Sequence, residues 1–324
     1  MKIAVDAAGG DYAPHEIVKG VIKAAREYQV DIALVGRKAI LHVLAGRHLG
    51  KPGISIVEAS EIIDYHEPPM KAVQSKPDSS IVVGINLVRD GIASAFVSAG
   101  NTGAVVCAAL LNLGKIEGIE RPAIGCIVDL PSSARILLID GGANVDCRPS
   151  HLAQFAQLGA TYSREVLGVG SPRVALLSNG EEETKGNRLI QKSYKLIKET
   201  DLNFVGNIEG QDITKGKADV IVTDGFTGNI VLKTIEGLGE TLLRSVLQAG
   251  QTLSGALLRD IGLRAWARRI DYREYGGACL LGVNGNVIIA HGRSQARAIK
   301  NAIGLAKQTV ERGIPQMIRG GKYE

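Results

Sequence analysis

The stretch Ala95-Phe96-Val97-Ser98-Ala99-Gly100-Asn101-Thr102-Gly103 decides the fold. A short apolar, β-favouring run gives way to small and polar turn residues, and apolar helical sequence resumes at Ala104-Val105-Val106. That order is a strand, a tight loop and a helix. The device recurs in Val220-Ile221-Val222 into Thr223-Asp224-Gly225-Phe226-Thr227-Gly228-Asn229, and in Ile3-Ala4-Val5 into Asp6-Ala7-Ala8-Gly9-Gly10-Asp11. A fourth copy is Ile136-Leu137-Leu138-Ile139 into Asp140-Gly141-Gly142-Ala143-Asn144. In a parallel sheet such loops gather at the carboxyl ends of the strands, the edge where open α/β sheets bind ligands. Free N–H groups at a helix start favour an anion there. The pattern predicts one anion-handling site assembled from several loops.

Bulk properties narrow the class. The chain has 324 residues, 45% of them hydrophobic and 22% charged, with 40 glycines, which suits a loop-rich α/β enzyme and no disordered or fibrous class. No fixed-period repeat, low-complexity tract or Pro/Ser-rich linker interrupts it, and although the length allows two domains, α/β chains of this size often form one. A net charge of +5 with 4% aromatic residues argues against nucleic acid as a partner. Cys107, Cys126, Cys147 and Cys279 form no CxxC pair and no metal-ligand spacing, the usage of reduced thiols in a cytoplasmic protein. Met1-Lys2-Ile3-Ala4-Val5-Asp6 is unlike a leader peptide. No apolar run reaches the ~20 residues that cross a bilayer.

Strand and helix alternate up to residue 229, after which 230–273 reads as a helical hairpin with bends at Gly250 and Ser254-Gly255. Leu257, Leu258, Ile261 and Ala265 share one helical face, while Leu263, Trp266 and Ile270 share the opposite one. A helix apolar on two sides is buried on two sides, which suits a helical hairpin that joins a dimer partner. Arg259, Arg264 and Arg268, with Arg244, Arg269 and Arg273, outnumber Asp260 and Asp271 there. That excess fits an acidic partner surface or anionic lipid, or equally a solvated face beside a dimer contact.

Familiar nucleotide signatures are missing: no GxGxxG follows the first strand and no GxxxxGK[ST] occurs. Gly9 and Gly10 after a strand suit close approach of a ligand or an ordinary tight turn. Lys185, between Glu181-Glu182-Glu183 and Gly186-Asn187, is a candidate phosphate or leaving-group anchor; a solvated charge run accounts for it as well. His15, near the first loop, is a candidate acid/base group, and His291 reads as a strand-end histidine. Cys147, close to Asn144, reads as a buried or merely nearby thiol before an acyl-carrying one.

Taken together, Asp6 to Asp11, Ser98 to Ala104, Gly142-Ala143-Asn144-Val145-Asp146-Cys147, Thr223 to Asn229, Glu274-Tyr275-Gly276-Gly277-Ala278 and Ile289-Ala290-His291-Gly292 resemble, in order, the bacterial phosphate acyltransferases of the PlsX type. Ala8 stands where that pattern usually has Met, a change under the loop, and Asp140-Gly141-Gly142 also departs slightly. The resemblance implies a three-layer α/β/α sandwich related to phosphotransacetylase and to isocitrate and isopropylmalate dehydrogenases. It also implies conversion of acyl-ACP (acyl carrier protein) and inorganic phosphate to acyl phosphate at the entry to phospholipid synthesis. A homodimer, peripheral contact with the inner face of the cytoplasmic membrane and a downstream glycerol-3-phosphate acyltransferase belong to the same expectation, with no metal or cofactor required. On this reading Gly9, Gly10, Asp11, Ser98, Gly100, Asn101, Thr102, Asn144 and Thr227 bind phosphate or substrate, and Lys185, Asn229 and Asp224 are catalytic. An acyl-CoA-using phosphotransacetylase-like enzyme and a non-catalytic carrier- or membrane-binding scaffold are the alternatives.

Overall fold

A computed structural model describes residues 1–50, 53–129, 135–252 and 276–321. The chain divides into two compact units, Met1–Pro122 with Tyr275–Glu324, and Ala123–Glu274.

In the first unit β1 (Lys2–Asp6), β2 (Asp31–Gly36), β3 (Ile54–Glu58), β4 (Ala95–Ser98) and β11 (Asn286–Ile289) run parallel in the order β3-β2-β1-β4-β11. The strand β10 (Ala278–Leu281) lies antiparallel to β11. Ile3, Ala4, Phe96 and Val97 are fully buried, as strands covered on both faces must be, and hence read as unbroken apolar runs. One cover is α1 (His15–Tyr28), which buries Ile17, Val18, Val21 and Ala24. Against it lies the helix 296–311, which buries Ile299, Ala302 and Ile303. The helix α5 (Thr102–Asn112) starts directly from the loop after β4.

In the second unit β5 (Ala123–Val128) pairs antiparallel with β6 (Ile136–Ile139). Next come β9 (Val220–Val222), β7 (Val174–Leu177) and β8 (Phe204–Ile208), all parallel to β6, in the order β5-β6-β9-β7-β8. The helix α6 (Pro149–Glu165) opens on Pro149, whose fixed φ suits the first helical turn. α7 (Arg188–Lys198) is capped by Asn187, whose side chain accepts from the Ile190 amide. The expected strands and helices recur along this unit, with one correction: α8 spans Gly225–Thr252, so Thr227-Gly228-Asn229 forms its first turn and is no loop. Gly250 lies inside α8 and makes no bend. Val231, Leu232 and Ile235 pack α8 onto the core of this unit. The turn expected at Ser254-Gly255, and Leu257, Leu258, Arg259, Arg264 and Arg268, lie outside the described residues.

One ion pair fixes the edge of this sheet remote from the loops. Arg173 donates from its amide and from Nε and Nη2 to the Asp219 carboxylate at 2.8, 3.0 and 2.9 Å, tying the start of β7 to that of β9. Burial works to raise the Asp219 pKa, but the Arg173 bonds outweigh it and hold the carboxyl below its ordinary value. A carboxyl depressed in the folded state stabilises above its unfolded pKa of about 3.9, and that stability drains as pH falls through the folded value. Asp219→Asn is therefore expected to flatten the loss of stability below about pH 4, read by denaturant titration at pH 3 to 6; equal slopes in both proteins would refute it.

Candidate active site

Each of the central parallel strands β1 and β6 leads into an aspartate that gathers the loop behind it. In the first unit Asp6 is 1% exposed, and its Oδ1 accepts from the amides of Ala8 and Gly9 at 2.9 and 3.1 Å. Its Oδ2 accepts from the Ser98 hydroxyl at 2.7 Å, and Ser98 Oγ in turn accepts from the Gly100 amide at 3.0 Å. Gly10 has φ +112°, a conformation open to glycine and costly for other residues. The Asp11 amide donates to the Gly292 carbonyl, binding this loop to the one after β11.

The consequence for phosphate is specific. The amides of Ala8, Gly9, Gly100 and Asp11 are already used inside the protein. So is Asn101, whose Oδ1 caps α5 at the Ala104 amide while its Nδ2 donates to the carbonyls of Asp64, Tyr65 and Glu67. Asn101 is thus a tie between loops, although the sequence presents it as a ligand donor. The amides of Thr102 and Gly103 are the first two of α5 and have no intrahelical acceptor. The Thr102 side chain is exposed beside them.

Tyr65 is the residue that the sequence reading missed. It donates from Oη to the Ala99 carbonyl at 2.7 Å, and burial, with Asp11 and Asp6 nearby, pushes its phenol up to about 12. It therefore stays a neutral donor that holds the β4 loop in place. The surrounding Asp64-Tyr65-His66-Glu67 segment carries no motif to betray this; only the fold brings it to Ala99.

The second unit repeats the device with more donors. Asp140, fully buried, accepts through Oδ1 from the amides of Ile124, Gly142 and Ala143, and through Oδ2 from the amide and side-chain Nδ2 of Asn144. Burial pushes the Asp140 carboxyl up, and the five N–H donors pull against that rise. Asn144, expected to touch substrate, thus gives both its amide and its side-chain N–H to Asp140. Gly225 seals the arrangement: a Cβ there would lie 2.7 Å from the Asn144 carbonyl oxygen and 2.8 Å from Asp140 Oδ2, so only glycine lets α8 begin against this loop.

Asp224, just ahead of α8, accepts from the Thr227 amide at 2.8 Å and from the Thr227 hydroxyl at 2.9 Å. That geometry makes Asp224 the group that positions Thr227. Asn229 sits one turn into α8, and its side chain lies beside Gly142 with no hydrogen-bond partner among the described residues. Lys185 is exposed, and its ammonium has none either. The neighbouring acids do not claim it: Glu181 pairs with Lys217 and Glu183 with Lys198. Two of the three carboxylates are thus engaged by other lysines.

Three of the four thiols offer no ready nucleophile. Burial pushes Cys126 and Cys107 up, and Cys279 up to about 12, so these three stay protonated near neutrality. Cys147 donates its thiol hydrogen to the Asn144 carbonyl. His15 is exposed, and His291 Nδ1 accepts from the Arg293 amide, a turn-forming bond. Among the described residues no group of three His, Cys, Asp or Glu side chains is placed to hold a metal, and no helix is long and apolar enough to cross a membrane.

Fold and loops together define an α/β protein whose polar loops lie at the carboxyl ends of parallel strands. The phosphotransacetylase from Streptococcus pyogenes superposes on 96% of this chain and 94% of its own with a TM-score of 0.66 at 18% identity. The 4-hydroxythreonine-4-phosphate dehydrogenase from Klebsiella pneumoniae does so on 95% and 99% with a TM-score of 0.56 at 12% identity. Both likenesses concern the fold alone. At the level of sequence, residues 1–317 match the family described as fatty acid synthesis protein. A protein of Dehalococcoides mccartyi named phosphate acyltransferase is 54% identical over 324 residues, covering 98% of this chain and 93% of that protein. The chain belongs to this family and is an enzyme of the phosphate acyltransferase class.

Proposed function

We propose that the enzyme forms acyl phosphate and free carrier protein from a long-chain acyl-ACP thioester and inorganic phosphate, by direct attack. A phosphate oxygen bonds to the thioester carbonyl carbon, the C–S bond breaks as the tetrahedral oxyanion collapses, and the departing thiolate takes a proton from solvent. With a second pKa of about 6, phosphate is largely dianionic near neutrality and needs positioning more than a base. The observation that carries the reading is Lys185, a cation without a partner among the described residues although it stands beside three glutamates. It offsets the negative charge of the reacting phosphate or of the leaving thiolate. The Thr102 and Gly103 amides and the Thr102 hydroxyl bind phosphate, in a loop shaped by Gly9, Gly10, Asp11, Ser98, Gly100 and Asn101. Asn229 supplies an amide donor to the oxyanion, and Asp224 holds Thr227 toward substrate. Direct attack requires no acyl-enzyme intermediate.

Acyl phosphate is a reactive mixed anhydride, so the product calls for prompt use by a second acyltransferase. A glycerol-3-phosphate acyltransferase at the cytoplasmic membrane fits that need and places the enzyme early in phosphatidic acid synthesis. Dimerisation and peripheral membrane contact through 230–273 complete the proposal, supported by the two apolar faces and the arginine excess of that sequence.

Purified protein incubated with phosphate and either palmitoyl-ACP or palmitoyl-CoA, with hydroxylamine trapping, tests this. Acyl phosphate from the ACP thioester is the expected result. Product from CoA alone moves the assignment to a phosphotransacetylase-like enzyme, and no product from folded protein refutes catalysis on either thioester.

A further inference from the structure

The second unit contains a cavity of about 370 Å³ lined by Leu177, Ser178, Asn179, Gly186, Asn187, Ile190, Thr223, Asp224 and Thr227. One wall is the loop after β7, which carries Lys185 between two of these residues' neighbours, and the other is the loop that starts α8. Two hydroxyls in these walls, Thr223 Oγ1 and Ser178 Oγ, are buried and lack a hydrogen-bond partner among the described residues; Thr223 itself is 1% exposed. Buried hydroxyls are nearly always paired, so two unpaired ones in the walls of one cavity point to a partner brought by a ligand. Asn187 accepts from the Ile190 amide through Oδ1, which leaves its Nδ2 as a further donor.

The lining also says what kind of ligand. Asp224 places a carboxylate in the wall, which repels an anion and accepts from N–H or O–H groups. Leu177 and Ile190 give apolar surface. Neutral donors, one carboxylate acceptor and an apolar patch suit an uncharged chain of secondary amides bearing methyl groups, and they do not suit inorganic phosphate. We propose that this cavity receives the pantetheine arm of the acyl thioester. The proposal rests on the acyl-thioester reading above and adds the place where the arm common to carrier-protein and CoA thioesters is held. Thr223 is then a substrate-binding residue, its hydroxyl donating to an amide carbonyl of the arm.

The variant Thr223→Val keeps the shape and removes the hydroxyl. Its expected effect is about a tenfold rise in KM for the acyl thioester, with KM for phosphate within twofold of wild type and Tm no lower, since an unpaired buried hydroxyl adds nothing to the fold. Thr223→Ser restores the wild-type KM. Independently of turnover, free pantetheine should bind the wild-type protein by calorimetry and lose affinity for the Thr223→Val protein to a similar degree. Ser178→Ala provides the same readout should the first variant fold poorly. Unchanged thioester KM and pantetheine affinity, a rise confined to phosphate, or a fall in Tm matching the loss of activity would each overturn the assignment. Pantetheine binding that depends on Thr223 in a protein making no acyl phosphate would instead preserve the cavity and refute the reaction.

Discussion

Asp140→Ala is expected to destabilise the protein by roughly 4 kcal/mol or more and to abolish activity. The carboxylate has no exposure and accepts five N–H groups, from Ile124, Gly142, Ala143 and twice from Asn144. Each buried donor left unpaired costs about 1–3 kcal/mol. Partial relaxation keeps the total below the simple sum, but it still takes up a large share of a typical folding free energy of about 5–15 kcal/mol. The Gly225 contact adds to this, because α8 begins against the same oxygen, and Thr227 and Asn229 ride on that helix start. Asp140→Asn keeps one acceptor oxygen and turns an NH2 toward amides that are themselves donors. It should be intermediate, losing about 2 kcal/mol. Urea unfolding of the three proteins measures the order; an alanine variant within 1 kcal/mol of wild type would show that water or rearrangement satisfies the loop and that Asp140 does not organise it.

Lys185→Ala is expected to lower kcat about 100-fold or more with the fold intact. Loss of one preorganised group facing transition-state charge costs about 100- to 1,000-fold in measured cases, and Lys185 is an exposed loop residue whose β-carbon an alanine retains. Lys185→Arg, which keeps the charge on a different head group, should recover part of the rate. Lys217 and Lys198 serve as controls in the same region, each engaged with a glutamate; their alanine variants should stay within threefold of wild type. Steady-state hydroxylamine-trapping rates decide the matter. A Lys185→Ala enzyme within fivefold of wild type would return this residue to the role of a solvated surface charge.

The alternation of strand and helix was legible because it is local. Buried parallel strands such as Ile3-Ala4-Val5 and Ala95-Phe96-Val97 read as apolar runs, and the Gly, Asn and Asp residues after them mark turns whatever surrounds them. The same signal placed the candidate loops. It did not show where each loop donor points. Asn101 and Asn144 look like ligand amides in sequence, yet they bond within the protein, Asn101 to carbonyls 34 to 37 residues away and Asn144 to Asp140 four residues before it. Thr227 and Asn229 look like loop residues, yet they form the first turn of α8, because Asp224 satisfies the amide that would otherwise hold the chain open.

Sequence alone determined the βα repeat, the glycines at the strand ends and the family to which the chain belongs, all of which depend on residue type and short spacing. Tertiary structure alone decided which polar groups are consumed and which are left over: Ser98 on Asp6 across 92 residues, Tyr65 on the Ala99 carbonyl, Arg173 on Asp219, and Lys185, Asn229 and the hydroxyls of Ser178 and Thr223 without partners among the described residues. The reason is physical. Secondary structure follows from each residue's own conformational preferences and burial pattern, whereas the fate of a donor is set by whichever acceptor the folded chain brings within about 3 Å.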